Sequence, residues 1–404
     1  MANRRPGKKP TIVYIVTVPF AAPYLLGGQL RYIQEHGFEV LLICSPGEEL
    51  EALAISDGVK IVPIPMQREI ALLQDAVSLW KLLRALRKLK PDIVNASTPK
   101  AGFLGMLAAY ITRVPIRIYT LRAWRMETLE GLKRFVLYVT EWVASTCAHR
   151  VVCISESLRQ VSTGLGPVPA AKTVVIRSGR GIDTARFLDT ENMQRAEVLR
   201  EQLRIPQGAP VIGFVGRITQ DKGIRELFDA FEEVLAVFPE ARLLLVGRFE
   251  EGDPVPLNYV RRLRSHRQVI LAGWVKNPIL WFYIMDILAF PSYREGFGNV
   301  ALEAGAAGIP VVGFHVTGLI DAVVHGETGI LVPMGDSGAL ARALIKLLED
   351  DALRERLGET ARARVMQDFA VERIWEAWLE LYKRELALRR RYGKGSAEAE
   401  PLPY

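Results

Sequence analysis

The amino-acid sequence predicts an α/β protein with two doubly wound domains in tandem, each containing a parallel sheet covered by helices. Short apolar runs rich in β-branched residues alternate with longer stretches of helical periodicity along most of the 404 residues. This alternation lapses once, over 178–208, where Gly179, Gly181, a polar helical stretch and Pro206 are typical of a linker region. A single ordinary core rarely accommodates a chain of this length, so two or three domains are expected.

The first series of apolar runs contains seven predicted strands. They cover 11–17, 38–44, 59–64, 91–96, 116–121, 150–155 and 172–177. Helical periodicity is found between or after them over 28–36, 68–90, 100–112, 129–147 and 155–164. Because strands that alternate with helices form parallel sheets with both faces covered, this series predicts the first doubly wound domain.

A second series of the same kind follows the linker region. Its strands are predicted over 210–216, 241–247, 268–273, 286–292, 309–314 and 328–333. Its helices are predicted over 223–237, 257–264, 299–308, 338–349 and 351–368. Ligands of doubly wound sheets bind beyond the carboxyl ends of the strands, so the site is expected in the cleft between the two domains.

These patterns divide the chain into four parts. A first Rossmann-like domain is predicted over 1–190 and a second over 191–370. The helical stretch 371–391 is expected to pack back toward the first domain. The polar tail 392–404 is expected to be disordered, because its composition offers little apolar surface to bury.

The charge of the chain is unevenly divided. Residues 1–190 contain 25 basic and 15 acidic residues, whereas 191–404 contain 27 basic and 30 acidic residues. A basic half indicates an anionic surface as partner, either nucleic acid or lipid, although ordinary solubilising charge explains the imbalance as well. Lipid fits better, since no recognisable nucleic-acid reading module occurs. No run of about 18 uninterrupted apolar residues occurs, so no spanning helix is predicted.

Two stretches of the first domain mix basic and apolar residues. In 79–90 the leucines form one stripe, and packing of this stripe on the sheet with the charges in water is the favoured interpretation. In 122–136 basic residues are interleaved with Trp124 and Phe135, which suits a membrane interface and an ordinary surface about equally. The basic residues of that second stretch are Arg122, Arg125, Lys133 and Arg134.

Two cations surround a glycine-containing turn in the segment FVGRITQDKG (214–223). A predicted strand ends at Val215, and Arg217 and Lys222 lie in the loop before the next helix. Side-chain cations beside a helix N-terminus can hold a diphosphate, because the backbone amides and the helix dipole add to their charge. Taken alone, this pattern is more often only a solvated loop.

Two glutamates frame the turn in the segment 291–312. Glu303 is expected about one turn into a helix that begins near Asn299, where it can accept the two hydroxyls of a ribose. Glu295 in the preceding loop can do the same for a sugar, and the amides of Gly298, Asn299 and Val300 suit a phosphate. Each glutamate could instead serve its own helix end or turn. The small residues 305–308 favour close packing of this helix on the sheet.

The same segment also contains a dinucleotide-binding pattern. Gly296-x-Gly298-x-x-Ala301 follows a strand and opens a helix, as in dehydrogenases. Glu295 at the lip would repel a dinucleotide diphosphate, and the next strand ends near His315 rather than at an acidic residue. A dehydrogenase is therefore disfavoured.

The sequence offers no obvious metal site. No D-x-D motif occurs, the five histidines show no ligand spacing, and the three cysteines are expected to be buried reduced thiols. The two loop cations and a helix N-terminus would then have to hold a diphosphate without a metal ion.

Several segments together resemble the signature of retaining family 4 glycosyltransferases, which have the GT-B fold of two Rossmann-like domains facing across a cleft. GRITQDKG (216–223) is similar to the GR-x-x-x-x-KG loop of that family, and EGFGNVALE (295–303) matches its E-x7-E pattern. ETGILVP (327–333) resembles the closing turn of the second domain. The segments 95–110 and 148–159 resemble the first, acceptor-binding domain of bacterial members that extend polyprenyl-diphosphate-linked saccharides. The resemblance covers most of the chain.

The resemblance implies a role for each matching residue of the second domain. Arg217 and Lys222 would hold the donor diphosphate, Glu303 the ribose and Glu295 the transferred sugar. Further donor-site residues would flank the base, line the sugar and phosphate pocket, or lie at strand ends: Trp274 and Val275; Phe297, Gly298, Asn299 and Val300; Gly216 and Gly247.

In the first domain, Gly27 and Gly28 would form a flexible loop near the diphosphate. Many family members have a histidine after the fifth strand of this domain, near the reaction centre. This chain has Arg122 at or near that place, so the resemblance does not supply a role for it.

The resemblance implies a transferase that moves a hexose or N-acetylhexosamine, with retention, from a nucleotide diphosphate sugar to a polyprenyl-diphosphate-linked saccharide. A uridine-linked donor, no further cofactor and no metal are expected, and Arg217, Lys222 and Glu295 are the candidate catalytic residues. The protein is expected to be cytoplasmic, bound peripherally to the anionic inner face of the plasma membrane, with no nucleic-acid partner. A sugar-nucleotide epimerase and a non-catalytic nucleotide-sugar-binding protein stay open as alternatives.

Overall fold

The computed structural model of the protein describes residues 9–67, 71–164 and 166–392. The predicted disordered tail lies outside the described residues from residue 393 onward. The chain forms two compact units: the first contains Met1–Arg180 and Glu372–Tyr404, and the second contains Gly181–Val371. No helix among the described residues is both long and apolar enough to cross a membrane.

The first unit contains a seven-stranded parallel sheet, and every predicted strand of the first series is present in it. The strands are β1 (Thr11–Ile15), β2 (Glu39–Cys44), β3 (Lys60–Pro63), β4 (Ile93–Ser97), β5 (Ile116–Leu121), β6 (Arg150–Cys153) and β7 (Thr173–Val175), in the order β3-β2-β1-β4-β5-β6-β7. The central strands are buried along their whole length, whereas the edge strand β3 is partly exposed. This burial explains why the central strands are continuous apolar runs.

The second unit contains a six-stranded parallel sheet with the same winding. Its strands are β8 (Val211–Val215), β9 (Arg242–Val246), β10 (Val269–Gly273), β11 (Ile287–Phe290), β12 (Val311–Phe314) and β13 (Gly329–Val332), in the order β10-β9-β8-β11-β12-β13. In both units the winding direction reverses once, between β1 and β4 in the first and between β8 and β11 in the second. Such a switch point opens a crevice at the carboxyl ends of the two strands, where ligands of doubly wound sheets bind.

Sixteen α-helices are found among the described residues. They are α1 (Ala21–Leu26), α2 (Gln29–Glu35), α3 (Glu49–Asp57), α4 (Leu72–Leu89), α5 (Pro99–Ile111), α6 (Gly131–Cys147), α7 (Glu156–Gly164), α8 (Thr190–Gln202), α9 (Ile224–Val237), α10 (Leu257–Ser265), α11 (Ile279–Tyr283), α12 (Asn299–Ala306), α13 (Leu319–Ala322), α14 (Ser337–Glu349), α15 (Asp351–Asp368) and α16 (Val371–Tyr392). The predicted helices are all present among the described residues, and residues 68–70 at the start of the helix predicted over 68–90 lie outside them. The helices α1, α3, α11 and α13 were not predicted. Three of them, α1, α11 and α13, have six residues or fewer, and α3 has almost no amphipathic periodicity.

The C-terminal helix α16 contributes to the core of the first unit. Trp378 and Tyr382 are buried and stack on each other at 5.8 Å. The hydroxyl of Tyr382 donates to that of Tyr14 at 3.0 Å and accepts from Asn95 at 2.7 Å. These contacts join α16 to the central strands β1 and β4.

The boundary between the units lies at residue 180 rather than at the predicted residue 190. The amide of Ile182 donates to Phe369 at 2.7 Å, and the amide of Val371 donates to Ile182 at 3.0 Å. The linker region predicted over 178–208 also contains α8, which packs on α11 and belongs to the second unit. The polar helical stretch predicted within that region is this helix, and its polar composition did not indicate that it packs on the second unit.

Candidate active site

The two predicted motif loops meet at the switch point of the second sheet. The loop 216–223 follows β8, and the loop 291–298 follows β11, which is the neighbouring strand. The helices α9 and α12 begin directly after these loops. Their first turns therefore lie at the edge of the sheet where an anionic ligand would gain from the helix dipoles.

Glycines allow the backbones at these strand ends to approach each other closely. A Cβ on Gly247 would lie 1.8 Å from the carbonyl oxygen of Gly216, and Gly247 has a φ of 152°. A Cβ on Gly223 would lie 2.0 Å from the carbonyl oxygen of Pro291. No side chain fits at Gly247 or Gly223, so the glycines of these strand ends are explained by packing of the loops.

Lys222 is at the centre of the site. Its ammonium group contacts the carboxylate of Glu295, donates to the hydroxyl of Ser292 at 3.2 Å and lies 5.8 Å from the ring centroid of Phe290. The side chains of Lys222 and Glu295 are each only 14% exposed. A largely buried ion pair of this kind is held in a defined geometry by its hydrogen bonds.

Arg217 lies at the outer side of the same loop. Its guanidinium group donates to Glu250 at 3.1 Å and lies 3.6 Å from a carboxylate oxygen of Asp221. With 40% of its side chain exposed, Arg217 is more accessible to a ligand than Lys222 is.

Asp221 links the cations of both loops. Burial by itself would raise the pKa of this carboxyl group, but the hydrogen bond from Thr219 and the charges of Lys222 and Arg217 hold the pKa at about 2. Arg294 adds a hydrogen bond of 3.1 Å to the same carboxylate. Asp221 is therefore negatively charged at neutral pH and fixes the positions of the arginines.

The cations predicted to hold a diphosphate are therefore already paired with carboxylates. Each of these cations has a carboxylate partner: Lys222 has Glu295, Arg217 has Glu250 and Asp221, and Arg294 has Asp221. A bound diphosphate would have to share or displace these carboxylates, because its charge is of the same sign.

Four of the residues predicted to line the donor site lie at or near the start of α12. Gly298 has a φ of 85° and immediately precedes the helix, while Asn299, Val300 and Glu303 are partly exposed in its first turns. The side chain of Phe297 is only 1% exposed, because it packs against another ring in the core. If Phe297 lines the pocket, it does so with its backbone, and that role stays a prediction.

The small residues after Glu303 serve a different neighbour from the predicted one. A Cβ on Gly305 would lie 3.2 Å from Val365 and 3.4 Å from Ala361, and both of these belong to α15. At Gly305 the close packing of α12 is therefore with α15, and α12 also contacts β11 and β12 of the sheet.

The residues predicted to flank the base follow the strand β10. Trp274 is 68% exposed and Val275 is partly exposed. The amide of Gly247 donates to the carbonyl of Gly273 at 2.9 Å, which joins the ends of β9 and β10 next to Gly216. A largely exposed tryptophan at a strand end is available for stacking, and its contact with a base stays a prediction.

Gly27 and Gly28 belong to the first unit, between α1 and α2, and packing accounts for both. A Cβ on Gly27 would lie 2.5 Å from the carbonyl oxygen of Pro23. Gly28 has a φ of 77°, a Cβ there would lie 2.6 Å from Trp375, and its amide donates to Asp57 at 2.9 Å. The pair is thus a tightly packed connection rather than the predicted flexible loop, and its contact with a donor stays a prediction.

The basic and aromatic stretch 122–136 divides into two parts. Trp124 is buried, and the Nε atom of Arg122 is buried as well, so this part turns into the protein. Phe135 is 63% exposed on α6, together with Lys133 and Arg134. The side chain of Arg125 lies outside the described residues. Only the second part can contact a surface.

Sequence reasoning missed four residues of the site: Asp221, Glu250, Ser292 and Arg294. Three of them carried a usable signal, because they lie inside the two quoted segments beside Lys222 and Glu295. Glu250 follows β9. Only its place after a strand that neighbours β8 could have indicated it, because the carboxyl ends of neighbouring parallel strands lie at the same edge of the sheet. Among the described residues, no three histidine, cysteine, aspartate or glutamate side chains group closely enough to hold a metal ion.

The fold and the site together define a class of protein. Two doubly wound parallel sheets in one chain, the second with paired lysine and glutamate side chains at its switch point, form the architecture of a GT-B glycosyltransferase. The family model described as glycosyl transferases group 1 matches residues 196–364, and the model of a glycosyl transferase 4-like domain matches 24–179. The chain belongs to the glycosyltransferase family that these two models describe.

Relatives and solved structures agree with this assignment. The chain is 38% identical over 380 residues to the capsular polysaccharide biosynthesis glycosyltransferase CapM of Staphylococcus aureus, covering 93% of this chain and 97% of that protein. It is 24% identical over 372 residues to an Escherichia coli UDP-Gal:alpha-D-GlcNAc-diphosphoundecaprenol alpha-1,3-galactosyltransferase, covering 89% and 94%. The fold is similar to Anabaena Alr3699/HepE in complex with UDP-glucose, with a TM-score of 0.76, 23% identity and coverage of 93% and 99%.

Proposed function

We propose that this protein transfers a hexose or an N-acetylhexosamine from a UDP-sugar to a polyprenyl-diphosphate-linked saccharide, with retention, during assembly of a cell-surface polysaccharide or glycoconjugate. The named relatives support this proposal: CapM is described as a capsular polysaccharide enzyme, and the Escherichia coli relative as acting on a diphosphoundecaprenol-linked sugar. The single structural observation that carries it is the contact of Lys222 with Glu295 at the switch point of the second sheet.

The main catalytic requirement of this reaction is to stabilise the leaving group. The bond between the anomeric carbon and the diphosphate oxygen breaks, and a bond from that carbon to an acceptor hydroxyl oxygen forms. Negative charge collects on the leaving diphosphate, so cations aimed at it stabilise the transition state more than the ground state. Lys222 and Arg217, together with the amides at the start of α12, would bind the leaving diphosphate and stabilise its negative charge.

Exchange of partners would make the site ready for reaction. In the structure Glu295 neutralises Lys222. A bound diphosphate would take over the ammonium group of Lys222, which would free Glu295 to accept hydroxyl groups of the sugar. The proton of the acceptor hydroxyl would pass to the leaving diphosphate, so no protein side chain is assigned as general base.

A donor and acceptor panel tests the proposed activity. The purified protein is incubated with several UDP-sugars, each with and without a polyprenyl-diphosphate-linked saccharide. We expect UDP release and a lengthened lipid-linked product only when both substrates are present, because the sugar needs an acceptor oxygen. Analysis of the product linkage by nuclear magnetic resonance checks retention.

The same panel separates the alternatives. An epimerised donor without acceptor would indicate a sugar-nucleotide epimerase, and binding of UDP-sugar without turnover would indicate a non-catalytic binding protein. Parallel reactions contain a chelator, and we expect unchanged turnover in them, because side-chain cations stabilise the leaving group in this proposal. Loss of turnover that magnesium restores would contradict the metal-independent mechanism.

We further propose that α6 places the protein on an anionic membrane. Five large apolar side chains of this helix are exposed: Leu132, Phe135, Tyr138, Val139 and Trp142. Their spacing of three to four residues puts them on one face, and Lys133 and Arg134 lie beside them. Apolar and aromatic residues next to lysine and arginine are typical of a helix in the membrane interface.

The neighbouring helices extend this exposed face. The helix α5 packs against both α4 and α6. On α4, Leu82 and Leu86 are buried as the leucine stripe predicted, while Trp80 is 57% exposed beneath Arg84. The combined surface offers both apolar area and positive charge to a lipid headgroup region.

The double variant Phe135→Ser/Trp142→Ser is expected to bind vesicles of anionic phospholipid at least about tenfold more weakly than the wild type, since two apolar side chains are lost from the interface. Co-sedimentation with the vesicles measures this binding. Leu257→Ser, at an equally exposed apolar residue of the second unit, is the matched control and should bind as the wild type does. Equal binding of the double variant and the control would contradict the membrane role of α6.

A further inference from the structure

A pocket of the second unit lies away from the motif loops. It has a volume of about 360 Å³ and is formed by the turn before β13 together with α14 and α15. Because this turn precedes β13, it lies at the amino end of that strand, whereas the motif loops follow the carboxyl ends of β8 and β11. The strands of this sheet are parallel, so the turn and the candidate active site lie at opposite edges of the sheet.

The charged residues that line this pocket are basic. Arg342 and Lys346 come from α14, where a spacing of four residues puts them on one face, and Arg356 comes from α15. No aspartate or glutamate of the described residues is part of the lining. A concave surface that carries charge of one sign concentrates ions of the opposite sign.

The three pocket cations differ from other arginines of α15 in their partners. Within the part of the chain that the structure describes, none of the three forms an ion pair or a side-chain hydrogen bond. Arg354, by contrast, is paired with Asp351 at 2.7 Å and donates to the carbonyl of Leu347 at 2.9 Å. Arg362 donates to the carbonyl of Ala307 at 2.8 Å. The protein therefore uses Arg354 and Arg362 in its own packing and leaves the pocket cations available to a ligand.

The turn before β13 adds a fixed hydrogen-bond donor. The amide of Leu331 donates to Nδ1 of His325 at 3.0 Å, so Nε2 carries the proton of the neutral ring. Gly326, with a φ of 80°, donates its amide to the carbonyl of Gly329 at 2.8 Å, which closes the turn. His325 lines the pocket with the cations, and its Nε2–H group can donate to an anion there.

The rest of the pocket wall is apolar. It is formed by Ile330, Ala343, Leu353 and Leu357. The helix α14 also packs on α9, and α15 packs on α12, so both helices are held in place without any ligand. A preformed pocket of this size, with an apolar wall and a few converging polar groups, suits a small organic molecule better than a bare ion.

We propose that this pocket binds a soluble phosphate ester, with the phosphoryl group between Arg342, Lys346 and Arg356 and the organic part on the apolar wall. A phosphate monoester carries close to two negative charges at neutral pH, and guanidinium groups bind its oxygens through paired hydrogen bonds. A single carboxylate ligand would neutralise only one of the three cations. This site goes beyond the proposed transfer reaction and does not depend on it.

The surroundings of the pocket favour a soluble ligand over a lipid headgroup. A helix that enters a lipid headgroup region presents large exposed apolar side chains. Of the side chains of this kind that occur between residues 9 and 392 of the described structure, none lines the pocket.

Calorimetric titration with phenyl phosphate, without donor or acceptor, tests the site. The double variant Arg342→Gln/Arg356→Gln is expected to raise the Kd of the wild type by about tenfold or more, because charged hydrogen bonds to the phosphoryl group are lost. Arg261→Gln/Arg267→Gln removes the same charge at two exposed arginines of the same unit that do not line the pocket. This matched control should bind as the wild type does.

Two further titrations identify where and how the probe binds. Lys222→Ala should bind phenyl phosphate as the wild type does, because the donor site lies at the other edge of the sheet. Inorganic phosphate should bind the wild type about tenfold more weakly than phenyl phosphate, since it has no group to place on the apolar wall. Without ligand, Arg342→Gln/Arg356→Gln should melt no lower than the wild type, because it removes charges of like sign.

Several outcomes would overturn this inference. They are the absence of saturable binding by the wild type below about 10 mM, equal weakening in both double variants, and loss of binding in Lys222→Ala. Binding of anionic phospholipid vesicles through Arg342 and Arg356, without binding of phenyl phosphate, would contradict the soluble ligand. A lower melting temperature of Arg342→Gln/Arg356→Gln with unchanged binding would show a structural role instead. Failure of the proposed transfer reaction would leave all of these binding results unaffected.

Discussion

Replacement of Lys222 by alanine is expected to lower kcat by about 100-fold or more, the loss typical of removing one preorganised donor to a developing negative charge. Lys222 is mostly buried and is held in place by Ser292 and Glu295, so its ammonium group is positioned before the donor arrives. Little water can replace it in such a site. Single-turnover and steady-state rates with a saturating UDP-sugar and acceptor measure the effect.

The removal of Lys222 has a side effect that needs its own control. The carboxylate of Glu295 would be left without its cation in a largely buried position, which destabilises the folded protein. The double variant Lys222→Ala/Glu295→Gln removes this unpaired charge and should recover melting temperature without recovering kcat. Lys383→Ala, at an exposed lysine of α16, serves as the surface control. If the folded Lys222→Ala variant turned over at a near-normal rate, the role proposed for Lys222 would be wrong.

Replacement of Gly247 by alanine is expected to lower the melting temperature by roughly 5–15 °C, since a loss of about 2–4 kcal/mol in unfolding free energy follows from a backbone clash of this kind. The added Cβ would lie 1.8 Å from the carbonyl oxygen of Gly216. That oxygen cannot turn away easily, because the amide of Gly216 donates to Val246 at 2.9 Å within the paired ends of β8 and β9. Any shift also moves Arg217, so kcat should fall as well.

Gly252→Ala is the matched control for this prediction. An added Cβ at Gly252 meets no atom within 4 Å, and the residue lies in the same unit, five positions further along the chain. Calorimetry of the two variants and the wild type gives the comparison. A melting temperature of Gly247→Ala within a degree or two of Gly252→Ala would mean that the strand ends can separate, and the close packing of the site would then not be required.

Much of the candidate site was predictable because its residues lie in two short segments. Arg217 and Lys222 follow one strand, and Glu295 and Glu303 follow another, so placing these strands side by side in the sheet brings the residues together. What the pattern could not show is the pairing of charges. The contact of Lys222 with Glu295 joins residues 73 positions apart and depends on side-chain directions that no periodicity encodes.

For the basic stretch 122–136 of the first unit, too, the sequence predicted one part and could not predict another. Its composition indicated a surface for anionic lipid, and Phe135 with its neighbours on α6 is indeed exposed. Composition could not show that Arg122 and Trp124 turn inward, because their neighbours there, Gly179 and Gly166 respectively, are more than 40 positions away in the sequence.

By itself, the sequence determined the two parallel sheets, their strands and the loops in which the motif residues lie, because apolar periods, glycines and charges act over a few neighbouring residues. Only the tertiary structure decided where the units divide, which carboxylate neutralises which cation, and that three cations of α14 and α15 line one pocket. These features depend on contacts between residues far apart in the chain, whose geometry is set when strand order, helix packing and burial are satisfied together.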